Sequence, residues 1–340
     1  MFDMAKSKEH LILWVEPQTG KPLTKKGKFL ISKTNKFRIS NGIPNFVDNI
    51  DNKKQNQVRK SFGYKWTTSR FGQDDNEFET KLKGPMLGFM GITEKDLSFL
   101  KNKTILDVGI GSGSTARLWA GHAKEFHGID ISKAVFFASN AIKNFCKDPI
   151  LSQADLNHLP YRDNTFEVII SAGVLHHTPN TKNALKNIIK KLKPGGHTLF
   201  YIYKKKSPIR EFSDDFIREK ISNISPQVAM KKMESITKFG KDLSKQKISI
   251  TISEDLPLLD IKKGTYDLQR FIYNHFFKCF WNDKWGFDYS NMVNFDWYHP
   301  KFAWRYSKNE IKDWCTELKL KIKFIKETDA GYTCLARKIF

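Results

Sequence analysis

Cysteine is scarce in this chain: there are four in 340 residues, Cys146, Cys279, Cys315 and Cys334. No two are close enough to make a Cys-x-x-Cys pair. The spacing points away from a zinc site and from a disulfide framework, and leaves buried free thiols as the expectation. Long apolar runs are missing too. No stretch approaches the ~20 residues of a membrane span, and the apolar run from His10 to Val15 is too short for a signal-peptide core. The expectation is a soluble, cytoplasmic protein with no membrane span. Acids are fewer than bases, 36 against 58, for a formal net charge of +22. That balance permits nucleic acid or an acidic substrate. The lysines are spread along the whole chain beside abundant Asn, Ile and Phe, so compositional bias accounts for the excess equally well, and nucleic acid is not the favoured partner. The length exceeds one average domain.

The most informative segment present is Thr104 to Gly113, Thr-Ile-Leu-Asp-Val-Gly-Ile-Gly-Ser-Gly. It reads as a buried strand, a glycine-rich turn and a helix starting at Ser114-Thr115. Glycine at such a turn lets the backbone approach a nucleotide-like ligand. Asp107, two residues before the first glycine, would repel a pyrophosphate, and the third glycine of the dinucleotide motif falls at Ser114. A carboxylate there suits a ligand with a positive end and no phosphate, as in S-adenosylmethionine. Asp130 closes a second strand (Glu125 to Ile131) at the distance where an acid accepts from ribose hydroxyls. Asp155 closes a third strand (Ile150 to Asp155), where it can accept from an adenine amino group. Phe166 to Ala172 is a fourth, continuous apolar strand. It leads into Gly-Val-Leu-His-His-Thr-Pro, then a helix over Leu185 to Leu192 stopped by Lys-Pro-Gly-Gly, and a fifth strand over His197 to Tyr203.

In this order, these segments resemble the class I S-adenosylmethionine-dependent methyltransferases, over roughly 103–204 and again near 307–340. The resemblance implies a Rossmann-like α/β fold: a seven-stranded, mostly parallel sheet with an antiparallel last strand and helices on both faces. It implies S-adenosyl-L-methionine as cofactor, with Asp107, Gly109, Gly111 and Gly113 at its methionine part. Asp130 would hold the ribose, Asp155 with Leu156 the adenine, and Ala172 would complete the cofactor-binding set.

Residues 1–50 read as a small β module, with turns at Pro17-Gln-Thr-Gly20 and Asn41-Gly42 and a hairpin of Lys28 to Ile31 with Lys36 to Ile39. The module resembles a zinc ribbon found with some methyltransferases but lacks its cysteines, with Val15 and Gln18 near where the first pair would stand. No metal is expected, and packing against the main domain must hold it. Ile50 to Lys60 is polar and reads as a linker, within a 51–102 stretch that also carries the first helices. Phe62, Tyr64 and Trp66 follow, placed to close over a sulfonium or to pack in the core.

After the fifth strand, the helix and strand pair that complete the fold wait until 304–340. The intervening 205–303 is therefore an insertion. Its first helix places Ile209, Phe212, Phe216, Ile217 and Ile221 on one apolar face. Its second begins at Ser225-Pro226, with Val228, Met230, Met233, Ile236 and Phe239 as its face. The aromatic-dense segment Phe271 to Trp304 interleaves charges with rings, as pockets do, and reads as a substrate cap. A dimer interface is the alternative, so a homo-oligomer stays open.

The candidate bases are His299, the preferred one, then His177 and His176 at the fourth strand's exit, and Asp296. The leading function is methyl transfer to a small-molecule acceptor, whether at oxygen, nitrogen or carbon. An RNA or protein methyltransferase and a non-catalytic S-adenosylmethionine-binding partner protein are the alternatives.

Overall fold

The structure is a computed structural model describing residues 14–47, 53–68 and 74–340. Its first sheet joins β1 (Thr24–Lys26), β2 (Phe29–Ile31), β3 (Lys36–Ser40) and β4 (Ile43–Pro44), all antiparallel. The central sheet contains β5 (Thr104–Val108), β6 (Glu125–Asp130), β7 (Ile150–Gln153), β8 (Phe166–Ala172) and β9 (Leu192–Tyr203). A small antiparallel pair in the insertion, β10 (Ser249–Ile252) and β11 (Gly264–Asp267), precedes the last two central strands, β12 (Leu320–Glu327) and β13 (Gly331–Lys338). The central order is β12-β13-β9-β8-β5-β6-β7, and only β13 runs antiparallel to its neighbours.

Both faces of this sheet are covered, which is why its strands read as continuous apolar runs. In β8, Val168 and Ile170 enter one core cluster while Ile169 enters the other, and in β9 Leu199 and Tyr201 alternate in the same way with Phe200 and Ile202. The first face is covered by α2 (Val135–Ile142), the helical segments Lys83–Phe89 and Glu94–Leu100, and the insertion. The second is covered by α3 (Thr181–Lys191), α8 (Lys308–Glu317) and the N-terminal module. α3 starts on an Asn180 cap that accepts from the Asn183 amide at 2.9 Å. α8 starts on a capping box between Ser307 and Glu310.

The module lies along the β7 edge. Asn45 pairs parallel with Gln153, the Val15 amide donates to Pro160 O at 3.0 Å, and the Trp14 ring stacks on Tyr161 at 5.0 Å. An open edge strand is thereby paired. Within the module the buried Glu16 carboxylate accepts from Thr19 Oγ1 at 2.5 Å, Thr34 Oγ1 at 3.0 Å and Asn35 Nδ2. Burial pushes this carboxyl up, but the hydrogen bonds from Asn35, Thr19 and Thr34 hold it below its ordinary value. Among the described residues no group of three or more His, Cys, Asp or Glu could hold a metal ion.

Several sequence expectations need correction. The stretch read as a linker contains α1 (Lys53–Thr68), a helix whose buried Val58 and Ser61 face the body of the protein. Tertiary packing overrides its weak propensity. The glycine turn leads into two short 3₁₀ turns, Thr115–Leu118 and Ala120–His122, rather than a full helix. Lys193 to Gly196 lies inside β9 as a bulge, since the pairing with β8 jumps from Leu192 to His197.

The insertion helices α4 (Pro208–Ile221) and α5 (Pro226–Gln246) form where expected, but their faces are turned. α4 buries Arg210, Asp214, Arg218 and Ile221 and exposes Phe212 and Phe216. α5 buries Ala229, Met233, Thr237 and Gly240 and exposes Val228 and Phe239. A Cβ on Gly240 would sit 2.4 Å from Cys279 O, so only glycine permits that approach. The insertion continues through α6 (Leu268–His275) and α7 (Gly286–Tyr298). α1 ties it down: the Gln57 amide donates to Ser222 O at 3.0 Å and to His299 O at 2.7 Å.

Candidate functional site

A cavity of about 480 Å³ opens at the carboxyl ends of β5, β6 and β8. That is where open α/β sheets bind ligands. Of the residues singled out for a cofactor, Asp107, Gly109, Asp130, Asp155, Leu156 and Ala172 all line it. Gly109 has φ +81°, and a Cβ there would fall 2.3 Å from Val174. Gly111 and Gly113 are not in the wall. Gly111 sits under the Trp66 ring, and Gly113 lets the turn approach Ala138 of α2.

The three acids differ in their surroundings. Asp107 is buried and accepts from Trp119 Nε1 at 2.8 Å. Burial raises its carboxyl to about 7, against that hydrogen bond and helped by nearby Asp130. Asp130 accepts from the Gly111 amide at 2.9 Å and the Ser132 amide at 2.7 Å, which fixes its orientation. Burial still raises its carboxyl. Asp155 accepts from the Asn157 amide at 2.9 Å.

The candidate bases separate by position. His299 is not in the cavity wall. It is buried beside α1, with Nδ1 2.7 Å from Ser61 Oγ and Nε2 3.1 Å from Ile224 O. A carbonyl can only accept, so Nε2 carries the proton and Nδ1 accepts from Ser61. Both ring nitrogens are used, and His299 braces α1 against the insertion. His176 is also outside the wall: it stacks on Tyr203 with centroids 3.6 Å apart, and among the described residues neither ring nitrogen has a hydrogen-bond partner. Burial holds its pKa well below the ordinary value.

His177 and Asp296 do line the cavity. His177 Nδ1 donates to Phe302 O at 2.6 Å, which leaves Nε2 with its lone pair. Burial lowers its pKa to about 4 despite the pull of Asp296. Asp296 pairs with Lys65 of α1 at 2.9 Å. Burial pushes its carboxyl up, but Lys65 and His177 bring it below the ordinary range.

Of the three rings left open between the cofactor and the core, Phe62 and Trp66 line the wall, four residues apart on α1, and Tyr64 packs against the core. Sequence reasoning noted Lys278 among the charges of the aromatic segment but missed the other cations of the wall, Lys65, Lys206, Arg210 and Arg270. The one available signal was the mixture of charges and rings after Phe271. Arg210 Nε lies 3.2 Å from Asp214, which also accepts from Trp297 Nε1 at 2.8 Å and Tyr298 OH at 2.7 Å. This buried network is why α4 turns its charges inward.

Compared with known proteins, residues 106–200 match the family described as a methyltransferase domain. Over this segment the chain is similar to methyltransferase domains. Phosphoethanolamine N-methyltransferase 2 of Caenorhabditis elegans is 33% identical over 110 residues, which is 32% of this chain and 25% of that protein. A tRNA U34 carboxymethyltransferase of Nautilia profundicola is 33% identical over 102 residues, 29% of this chain and 34% of that one. The matches thus span about a quarter to a third of these relatives' own length. Among solved structures, an N-methyltransferase of Bradyrhizobium japonicum in complex with S-adenosyl-L-homocysteine aligns at TM-score 0.42 and 14% identity, covering 83% of this chain and 98% of that one. The matched segment contributes the wall that bears Asp107, Asp130 and Asp155. The opposing walls come from α1, the insertion and the turn at Thr328 to Ala330.

Proposed function

We propose that this chain transfers a methyl group from S-adenosylmethionine to a small molecule held between the methyltransferase domain and the insertion. The observation that carries this reading is that one cavity joins the three strand-end acids to the aromatic walls of the insertion. The residues present fit the cofactor. Gly109 keeps its backbone bare in the wall at φ +81°, with Val174 packed where a Cβ would stand. The Asp107 carboxyl, raised by burial, would be stabilised as carboxylate by an ammonium. Asp130 is oriented to accept from a ribose diol, and Asp155 with Leu156 would take the adenine.

The bound cofactor supplies an electrophilic methyl group on a good leaving group. Orientation and exclusion of water are then the protein's main tasks. Phe62 and Trp66 line the wall, and the Lys65 ammonium lies over the Trp66 ring, 4.1 Å from its centre. His177, neutral with Nδ1–H fixed on Phe302 O, takes the proton of a hydroxyl or ammonium acceptor at Nε2. The Lys65–Asp296 pair joins α1 to α7 beside it.

The test is incubation of the full chain with methyl-labelled S-adenosylmethionine and a cell extract, followed by separation by size. Label in small molecules is the expected result. Label removed by nuclease or protease would replace this reading with a macromolecular acceptor, and no label at all would favour a non-catalytic binding protein.

A further inference from the structure

The cap end of the cavity holds more positive charge than it can pair. Five cationic side chains line it, Lys65, Lys206, Arg210, Arg270 and Lys278, against two carboxylates, Asp296 and Asp329. Asp296 is engaged by Lys65. Asp329 is exposed and meets Lys206 through its backbone carbonyl. Asp214, behind the wall, is already shared by Arg210, Trp297 and Tyr298. That leaves Lys278. Its position is fixed, because its backbone amide donates to Tyr298 OH at 2.7 Å and Asp214 Oδ1 at 3.2 Å. The residue is 7% exposed. Among the described residues its ammonium has no hydrogen-bond or ion-pair partner, and it lies over the Trp297 ring, centred 4.7 Å away. An unpaired buried charge is costly. Beside it stand Tyr273, Phe280, Trp285 and Tyr289, with the Trp285 and Tyr289 rings edge-to-face at 4.8 Å.

We propose that the methyl acceptor is a small anionic molecule with an apolar, ring-sized body, whose carboxylate or phosphate is received by Lys278 with support from Lys206 and Arg270. The proposal rests on reading the cavity as a methyl-transfer site and names the class of acceptor. Lys278 supplies the counter-charge, and the surrounding rings cover the body. The protonation behaviour agrees. Burial, with Arg210 and Lys65 nearby and only partial relief from Asp296 and Asp214, lowers Lys278 to about 7. Burial and Arg210, Lys204 and Lys278 lower Lys206 to about 7, with Asp329 opposing. An arriving anion restores the charge on both.

The experiment is calorimetry on the full chain, saturated with S-adenosylhomocysteine, using benzoate, phenyl phosphate and neutral benzyl alcohol as probes. At least one anionic probe is expected to bind tenfold or more tighter than benzyl alcohol, and which one does so separates carboxylate from phosphate. Lys278→Met should weaken that probe tenfold or more, Lys278→Arg should restore most of it, and neither should change S-adenosylhomocysteine affinity. Binding measured above pH 7 should take up protons. The inference is overturned if benzyl alcohol binds as well as the anions, if Lys278→Met leaves anion affinity unchanged, or if S-adenosylhomocysteine binds and neither anion does. Anion binding that depends on Lys278, without S-adenosylhomocysteine binding, would sink the methyl-transfer reading and leave the anion site standing. Failure of both ligands would overturn both.

Discussion

The two ends of the cavity are opposites in charge and alike in predicament. At the strand ends a carboxyl, Asp107, is raised to about 7 by burial. At the cap an ammonium, Lys278, is lowered to about 7 by burial. Each holds a charge that its surroundings disfavour, and each would be relieved by a ligand group of the opposite sign. The difference is in how they are built. The acidic end uses residues at the carboxyl ends of strands, Asp107 and Asp130 within β5 and β6 and Asp155 two residues beyond β7. The basic end collects side chains from α1, α4, α6 and the segment after it.

The sharpest way to break this comparison is at His177, which lies among both sets of walls. His177→Gln should lower kcat by about 10²–10⁴-fold for an acceptor that must lose a proton, with S-adenosylhomocysteine affinity unchanged, as steady-state kinetics beside calorimetry would show. Asp130→Ala should cost roughly 10–100-fold in S-adenosylhomocysteine affinity, the scale of a hydrogen bond to a charged group, while leaving anion binding alone. Loss of both would mean the ends are not independent.

Opposed pH profiles come next. A ligand ammonium favours ionised Asp107, so S-adenosylhomocysteine affinity should rise by up to about tenfold per unit as pH climbs towards 7, then level off. Anion affinity should be level below 7 and fall at a similar rate above it, because Lys278 must then gain a proton. Calorimetry at several pH values checks both.

A smaller effect is expected in stability. Lys278→Met removes a charge whose burial is paid in full below about pH 7, so it should stabilise the free protein by about 1–4 kcal/mol. The gain should shrink as pH rises from 7 towards the ordinary lysine range near ~10.4, where wild-type Lys278 is neutral in both states. Denaturant titrations at pH 6.5 and 9 would show it. Smallest of all, Phe212→Ser should change stability by no more than about 0.5 kcal/mol, since Phe212 is 75% exposed. A large loss there would restore the apolar face that the sequence suggested for α4.

The same contrast explains what could be read in the sequence. Asp107, Asp130 and Asp155 were legible because strand, turn and acid are adjacent in the chain. The seven-stranded sheet with its antiparallel strand was expected from the resemblance that the same segments carry. The cations were not legible, because nothing local tells a buried lysine from a solvated one. α4 shows the difficulty most clearly: Arg210, Asp214 and Arg218 at four-residue spacing read as an exposed ion-pair face. Only Trp297 and Tyr298, more than eighty residues away, make that face the buried one. His299 was misjudged for the same reason. Its partners Ser61 and Ile224 are both remote, and they occupy the nitrogens a base would need.

Gln57 places α1 in a temporal order. The carbonyls it holds belong to residues 165 and 242 positions further along the chain. At a synthesis rate of ~5–20 residues per second, the second arrives roughly 10–50 s after Gln57 itself. Throughout that interval the segment must stay in solution without its packing partners. The Lys-, Asn- and Gln-rich composition that disguises the helix as a linker is what suits it to wait, and the cavity closes only when the turn at Thr328 to Ala330, beyond the insertion, has been made as well.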